Sequence, residues 1–212
     1  MLLAVERTLC ALGVVCLSAY SIDKGQAWLF ASREEARLEA VSTNEAARAD
    51  FSSLGSAVPR LRGSAEAGKA WGQIEVPRLG LHALIAEGAD RKTLGHAVGH
   101  LPETAFPDEV GNVVLAGHRD SVFRPLSGLV KGDRIAVVTP FGGFSYLVEA
   151  IDIVTPDRTD VIAQRPGRVL TLVTCYPFDV FGRAPLRLIA RARLIEPDLA
   201  LRSQHVPHPR NR

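Results

Sequence analysis

Cysteine is scarce in this chain: of three in 212 residues, Cys10 and Cys16 lie close to the N-terminus and only Cys175 stands elsewhere. That distribution excludes a disulfide framework and a cysteine-bound zinc centre. His82, His96, His100, His205 and His208 have no metal-ligand spacing joined to cysteines or carboxylates, and no acidic loop is clustered as a calcium site would need. No metal and no cofactor is therefore expected. Charge of one sign is also lacking: 25 Lys and Arg against 23 Asp and Glu leave a net charge of +2, and the arginines are scattered, so nothing points to nucleic acid as a partner. Internal repeats and low-complexity tracts are absent as well, which excludes a solenoid.

What is present falls into four segments. Residues 8–22 are 15 uncharged, mostly apolar positions, TLCALGVVCLSAYSI, with Leu2, Leu3, Trp28, Leu29 and Phe30 extending the usable stretch towards the roughly 20 residues a membrane span needs. Residues 1–30 are read as an uncleaved membrane-anchor helix; the rival reading is a cleaved signal peptide at Ala19-Tyr20-Ser21. Residues 31–70 are read as a juxtamembrane segment: helix formers with charges at spacings of three and four, then a Gly-, Ser- and Ala-containing linker from Ser52 to Lys69. Residues 71–195 form the folded domain. Residues 196–212, with Pro197, Pro207 and Pro209, read as a disordered tail.

From Trp71 the pattern turns to short β-like runs broken by Gly, Pro and Asp: 72–76, 81–86, 111–116, 134–139, 144–154, 168–174 and 186–194. Seven such runs predict an all-β barrel or sandwich, with short helical pieces at 91–94, 123–129 and 159–163.

Two of these runs deliver chemistry to their own C-terminal ends. Val169 to Thr174 is apolar enough to be a buried strand, and it ends on Cys175 just before Tyr176-Pro177, where a proline stops the ladder. Taken alone, a cysteine is commonly a small buried hydrophobe. The run Asn112 to Ala116 repeats the design, ending at Gly117 and presenting His118 where the chain turns. In the run from Leu186 to Leu194, apolar residues hold even positions and arginines most odd ones, so alternation puts Arg187, Arg191 and Arg193 on one face. A cation that serves the cysteine should come from the early part of that strand, which selects Arg187 and leaves Arg191 and Arg193 as a solvated face. Asp120 is read as capping a turn rather than orienting His118.

The motifs TLVTC, AGHRD upstream of it and APLRLIARA downstream resemble those of a sortase, one of the cysteine transpeptidases that attach surface proteins. The resemblance covers residues 71–195, and the wording GHRDSVFRPL and CYPF looks most like the class D group. It implies an eight-stranded β-barrel with short helices, its remaining strand lying within 95–101. It also implies Cys175 as nucleophile, His118 as the proton-transfer group and Arg187 as the cation beside the oxyanion. Thr174, Val173 and Ile189 are the candidate substrate-binding residues, with barrel core as their plain alternative.

The chemistry asks for these types together. A free thiol has a pKa of about 8.5, so nearby positive charge favours the nucleophilic thiolate. The oxyanion formed on attack needs a fixed donor, and the departing amine needs a proton. The partners implied by resemblance are a surface or pilin-type protein with a Leu-Pro-x-Thr-Gly-like C-terminal signal, an amine acceptor, and the plasma membrane, with the domain on the extracytoplasmic side. The alternatives are a cysteine peptidase that releases product to water and a non-catalytic, membrane-tethered β-domain that binds surface proteins. The internal tetrapeptide Leu101-Pro102-Glu103-Thr104 resembles part of such a signal but is followed by Ala105, and is read as coincidence.

Overall fold

The computed structural model describes residues 60–180 and 182–198, together with positions 18, 25, 29, 30 and 32–36. Eight strands close into a barrel: β1 (Ala70–Val76), β2 (Leu81–Glu87), β3 (Val98–His100), β4 (Gly111–Ala116), β5 (Arg134–Thr139), β6 (Gly142–Val154), β7 (Arg168–Tyr176) and β8 (Leu186–Asp198). Around the barrel they run β1-β2-β3-β4-β7-β8-β6-β5, and β5 closes back on β1. The pairs β2/β3 and β4/β7 are parallel and the others antiparallel. Closure fills the interior with side chains and leaves an edge only where β8 runs past β7.

The alternation that marks these strands in the sequence sorts them into an inner and an outer face. Ile74, Val76, Ile85, Val113, Leu115, Tyr146, Leu170, Leu172, Leu188 and Ala190 fill the barrel. On β7 the inward positions are even, so Thr171, Val173 and Cys175 face outward; on β8, Arg187, Ile189, Arg191 and Arg193 do the same.

The predicted strands 111–116 and 134–139 have the observed bounds, and the eighth lies where 95–101 was reserved for it, as a three-residue piece held parallel to Ile85–Glu87. The stretch 91–94 is a helix, α2 (Arg91–Leu94), N-capped by the Asp90 carboxylate, which accepts from the Lys92 and Thr93 amides at 2.9 and 3.2 Å. The predicted pieces at 123–129 and 159–163 are single 3-10 turns, Arg124–Gly128 and Thr159–Ile162.

Two boundaries differ from expectation. The linker assigned through Lys69 belongs to the barrel unit from residue 60 onward. There a short helix, α1 (Arg60–Ser64), seats a fully buried Leu61 in the core, and Arg62 grips Glu109 through two bonds of 2.7 Å and donates to Thr104 O at 2.9 Å. Small-residue composition hid this, because one buried leucine and one arginine carry the docking. At the other end β8 runs on to Asp198, paired with Gly143–Ser145 of β6. Pro197 is tolerated because this extension lies beyond the reach of β7 and has only β6 as a neighbour. The anchor expected over 1–30 and the tail expected beyond 198 lie almost wholly outside the described residues. Among the described residues no helix is long and apolar enough to cross a membrane.

Thr104, last residue of the Leu-Pro-Glu-Thr stretch, is buried and hydrogen-bonds His100 Nε2 and Leu101 O, so this stretch is a fixed turn rather than an extended, accessible peptide.

Candidate active site

Strand register assembles the site. Cys175 and Arg187 are direct cross-strand partners in the antiparallel β7/β8 pair. On the other side of β7, the parallel register pairs Ala116 with Val173, and the Gly117 amide still donates to Val173 O at 3.2 Å. The ladder ends with that bond, and His118 is the next residue, on the turn that leaves β4 at the end of β7 that carries Cys175. Cys175 and Arg187 thus sit side by side on β7 and β8, with neighbouring strands about 4.8 Å apart, and His118 on the turn past β4 extends the row on the other side of β7.

Local sequence explains the turn that presents His118. A Cβ on Gly117 would lie 2.6 Å from the Phe123 ring, which is fully buried, so only glycine lets Phe123 pack beneath the turn. The His118 carbonyl then accepts from the amides of Ser121 and Phe123 at 3.4 and 3.0 Å. Thr174, 3% exposed, donates its hydroxyl to Gly117 O at 2.8 Å and straps the turn to the strand that carries the cysteine. Its hydroxyl is therefore committed to the scaffold. Val173 is half-buried and its partner Ile189 is 1% exposed; both are outward-facing apolar neighbours of the row.

Exposure and partnering differ along the row. The His118 side chain is exposed and, among the described residues, receives no side-chain hydrogen bond; Asp120 is exposed as well. Cys175 is a free thiol, partly exposed. Arg187 donates from Nη1 to Leu186 O at 2.9 Å and Ala184 O at 3.3 Å. Further along the same face, Arg191 is paired with Asp152 at 2.6 Å and Arg193 with Glu149. Of these three β8 arginines, Arg187 alone has no carboxylate partner among the described residues, so its charge is not neutralised at the site.

One residue in this region escaped the sequence reading. Arg119 is only 7% exposed, and its guanidinium donates to Pro177 O at 2.8 Å, Val180 O at 2.9 Å and Gly182 O at 2.7 Å. Nothing in the sequence signals this, since an arginine between His118 and Asp120 reads as solvated. Arg124 adds a bond to Phe178 O at 2.7 Å. The covering of the outer face was likewise not visible: Asn112 bonds Ala163 O at 3.1 Å and Gln164 Oε1 at 3.0 Å, which holds the β6–β7 connection against β4. Among the described residues no group of His, Cys, Asp or Glu is placed to hold a metal ion.

A thiol and an unneutralised guanidinium paired across the barrel wall, with an imidazole on the adjoining turn, are groups that thiol-dependent acyl transfer uses. Similarity to known proteins gives the class its name. Residues 74–195 match the Sortase domain family, and the chain belongs to the sortase family. It is 42% identical over 125 residues to Sortase D of Bacillus subtilis, a match covering 58% of this chain and 63% of that protein. It is 34% identical over 137 residues to Sortase SrtE1 of Streptomyces coelicolor, covering 56% of this chain and 39% of the relative. The chain thus spans less than two thirds of the length of these curated relatives. Among solved structures, a Clostridium perfringens Sortase D5 transpeptidase superposes with a TM-score of 0.59 at 30% identity, covering 72% of this chain and 95% of that one. Sortase E1 from Streptomyces coelicolor, solved with a tripeptide in its active site, gives 0.59 at 32% identity, covering 68% and 98%.

Proposed function

We propose that this protein is a sortase of the class D type that cleaves a Leu-Pro-x-Thr-Gly-like sorting signal on a surface or pilin-type protein and transfers that protein to an amine. The observation that supports the reading is the direct cross-strand pairing of a partly exposed Cys175 with Arg187, with His118 on the turn just past β4. Membership of a family of cysteine transpeptidases and the similarity to Sortase D support it.

In the proposed sequence the Cys175 thiolate attacks the threonine carbonyl carbon, and the oxyanion is held by Arg187, whose donors rest on backbone carbonyls rather than on a carboxylate. The carbon–nitrogen bond breaks as His118 gives its proton to the departing glycine amine, which leaves a thioester on Cys175. The acceptor amine, losing a proton to His118, attacks that thioester; a new amide forms and the thiolate departs. Val173 and Ile189 supply the apolar wall beside the row, and Thr174 keeps the His118 turn at its distance from the cysteine strand. Residues 1–30 would tether the domain to the extracytoplasmic side of the plasma membrane, as the apolar segment 8–22 suggests.

The test uses the full chain in detergent with a library of Leu-Pro-x-Thr-Gly peptides, with and without an added amine, read by mass spectrometry beside Cys175→Ala. A peptide–amine conjugate and an acyl adduct on Cys175, both lost in the variant, are expected. Cleavage with no conjugate at any amine concentration would make the protein a peptidase. Wild type that forms no adduct with any peptide would refute this substrate class.

A further inference from the structure

The connection from Cys175 to Arg187 forms no strand over its described residues 177–180 and 182–185, yet four of its carbonyls are taken by arginines. Three of them, on Pro177, Val180 and Gly182, converge on the single buried guanidinium of Arg119, and a fourth, on Phe178, is taken by Arg124. Arg119 immediately follows His118. One side chain therefore joins the turn bearing the histidine to the segment linking the cysteine to the arginine. Among the described residues it has no carboxylate partner. Burying a cation against neutral carbonyls alone is a poor way to gain stability, since desolvation of the charge is offset only by hydrogen bonds. The planar fork, however, satisfies three carbonyls in fixed directions, which a lysine ammonium on a flexible stem does not reproduce.

We propose that Arg119 is a positioning residue that clamps the 177–182 connection against the His118 turn and so sets the opening over Cys175 between His118 and Arg187. Its effect on turnover rests on the transpeptidase reading above; the clamp itself does not. Cys175 sits on β7, held by ladders to β4 and β8, so loss of the clamp leaves the thiol in place while the loop beside it loosens.

The experiment compares full-length wild type, Arg119→Lys, Arg119→Gln and Arg124→Gln, with Arg62→Gln as a control at the far side of the barrel. Amide hydrogen exchange is followed peptide by peptide, with single-turnover acylation by a Leu-Pro-x-Thr-Gly peptide across pH and iodoacetamide labelling of Cys175 resolved by peptide mass. Arg119→Lys should raise exchange in 176–186 by about tenfold or more while β4 and β6 keep wild-type protection. Acylation kcat/KM should fall by roughly 10- to 100-fold through both KM and kcat, because a small displacement of groups lining the site is enough for such a loss. The pH midpoint and the alkylation rate should stay at wild type, and Arg124→Gln should show the same pattern more weakly. Arg62→Gln, at equal loss of Tm, should leave kcat/KM unchanged.

Wild-type exchange and acylation in both Arg119 variants would overturn the proposal. So would an Arg62→Gln variant with the same kinetic loss at equal Tm, since the effect would then be general destabilisation. An Arg119→Lys variant that behaves as wild type while Arg119→Gln shifts the pH profile would replace the clamp with a charge effect. Should Arg119→Gln fail to fold, Arg119→Lys and Arg124→Gln carry the test. If wild type forms no adduct while loop exchange still rises in Arg119→Lys, the functional reading fails and the clamp stands.

Discussion

Two histidines, His100 on β3 and His118 just past the end of the neighbouring β4, are held in opposite ways. His100 is fully buried at the end of β3: Nδ1 lies 2.7 Å from Glu87 Oε2, Nε2 lies 3.0 Å from both Ala105 O and Thr104 Oγ1, and Trp71 and Phe106 pack on the ring at 5.5 and 4.4 Å. Every polar atom of that ring is spent on the fold. His118 is exposed and spends none among the described residues, while the chain around it is tightly fixed by Gly117, Phe123 and Thr174. A histidine that moves protons has to keep its nitrogens uncommitted on a rigid support, and a histidine that holds a fold has to do the reverse. The arginines of β8 show the same contrast: Arg191 and Arg193 are taken by Asp152 and Glu149, and Arg187 bonds only backbone carbonyls among the described residues.

The sharpest way to break this comparison is to delete each histidine. His118→Ala should lower acylation by about 10²- to 10⁴-fold with Tm close to wild type. His100→Ala should cost about 3 kcal/mol by leaving a cavity and taking the ring's hydrogen bonds from Glu87 and Ala105 O. That lowers Tm by roughly 10 °C, while the folded fraction keeps wild-type kcat. Thermal melts run beside single-turnover acylation check both, and a His100 variant of unchanged Tm would undo the structural half.

A second structural group sharpens the contrast through pH. Asp133 is buried, with Arg78 donating to its two oxygens at 2.5 and 2.6 Å and the Val130 amide at 2.8 Å, and these hydrogen bonds hold its carboxyl below the usual range. A depressed folded-state pKa gives stability that is complete above the unfolded value of about 3.9 and is lost as pH falls through the folded value. Asp133→Asn should therefore lower Tm by a few degrees at neutral pH and less in strong acid. Melts between pH 2 and 7 read this directly, and a variant deficit that does not shrink with acid would contradict it.

The smallest effect concerns a group that serves neither purpose. Tyr146 is buried in the core, its hydroxyl has no partner among the described residues, and burial pushes its pKa well up. Tyr146→Phe removes an unpaired polar atom and should leave Tm equal to wild type or slightly higher. A clear drop in Tm would reveal a hydrogen bond that the described residues do not supply.

The barrel was legible because alternation and turn residues mark strands locally; 111–116 and 134–139 needed nothing else. The candidate site residues drew notice because Cys175 and His118 stand where apolar runs end and Arg187 where one begins. What lay beyond reach depended on contacts distant in sequence. Leu61 looks like any linker leucine until the barrel end receives it, and β3 is too short to show alternation and exists through its parallel pairing with β2. Arg119 looks solvated until three carbonyls from some 60 residues later close on it. The Thr174 hydroxyl, expected near substrate, is taken by Gly117 O, a choice no spacing could reveal.

In the proposed mechanism, position in the row, rather than charge on the β8 face, makes an arginine functional. Single-turnover acylation of Cys175 in Arg187→Ala and Arg191→Ala, each checked for wild-type Tm, tests it most directly. The row predicts a loss of about 10²- to 10³-fold for Arg187→Ala, the cost of one oxyanion donor, and a rate indistinguishable from wild type for Arg191→Ala. Equal losses in the two variants, or a wild-type rate in Arg187→Ala, would contradict it.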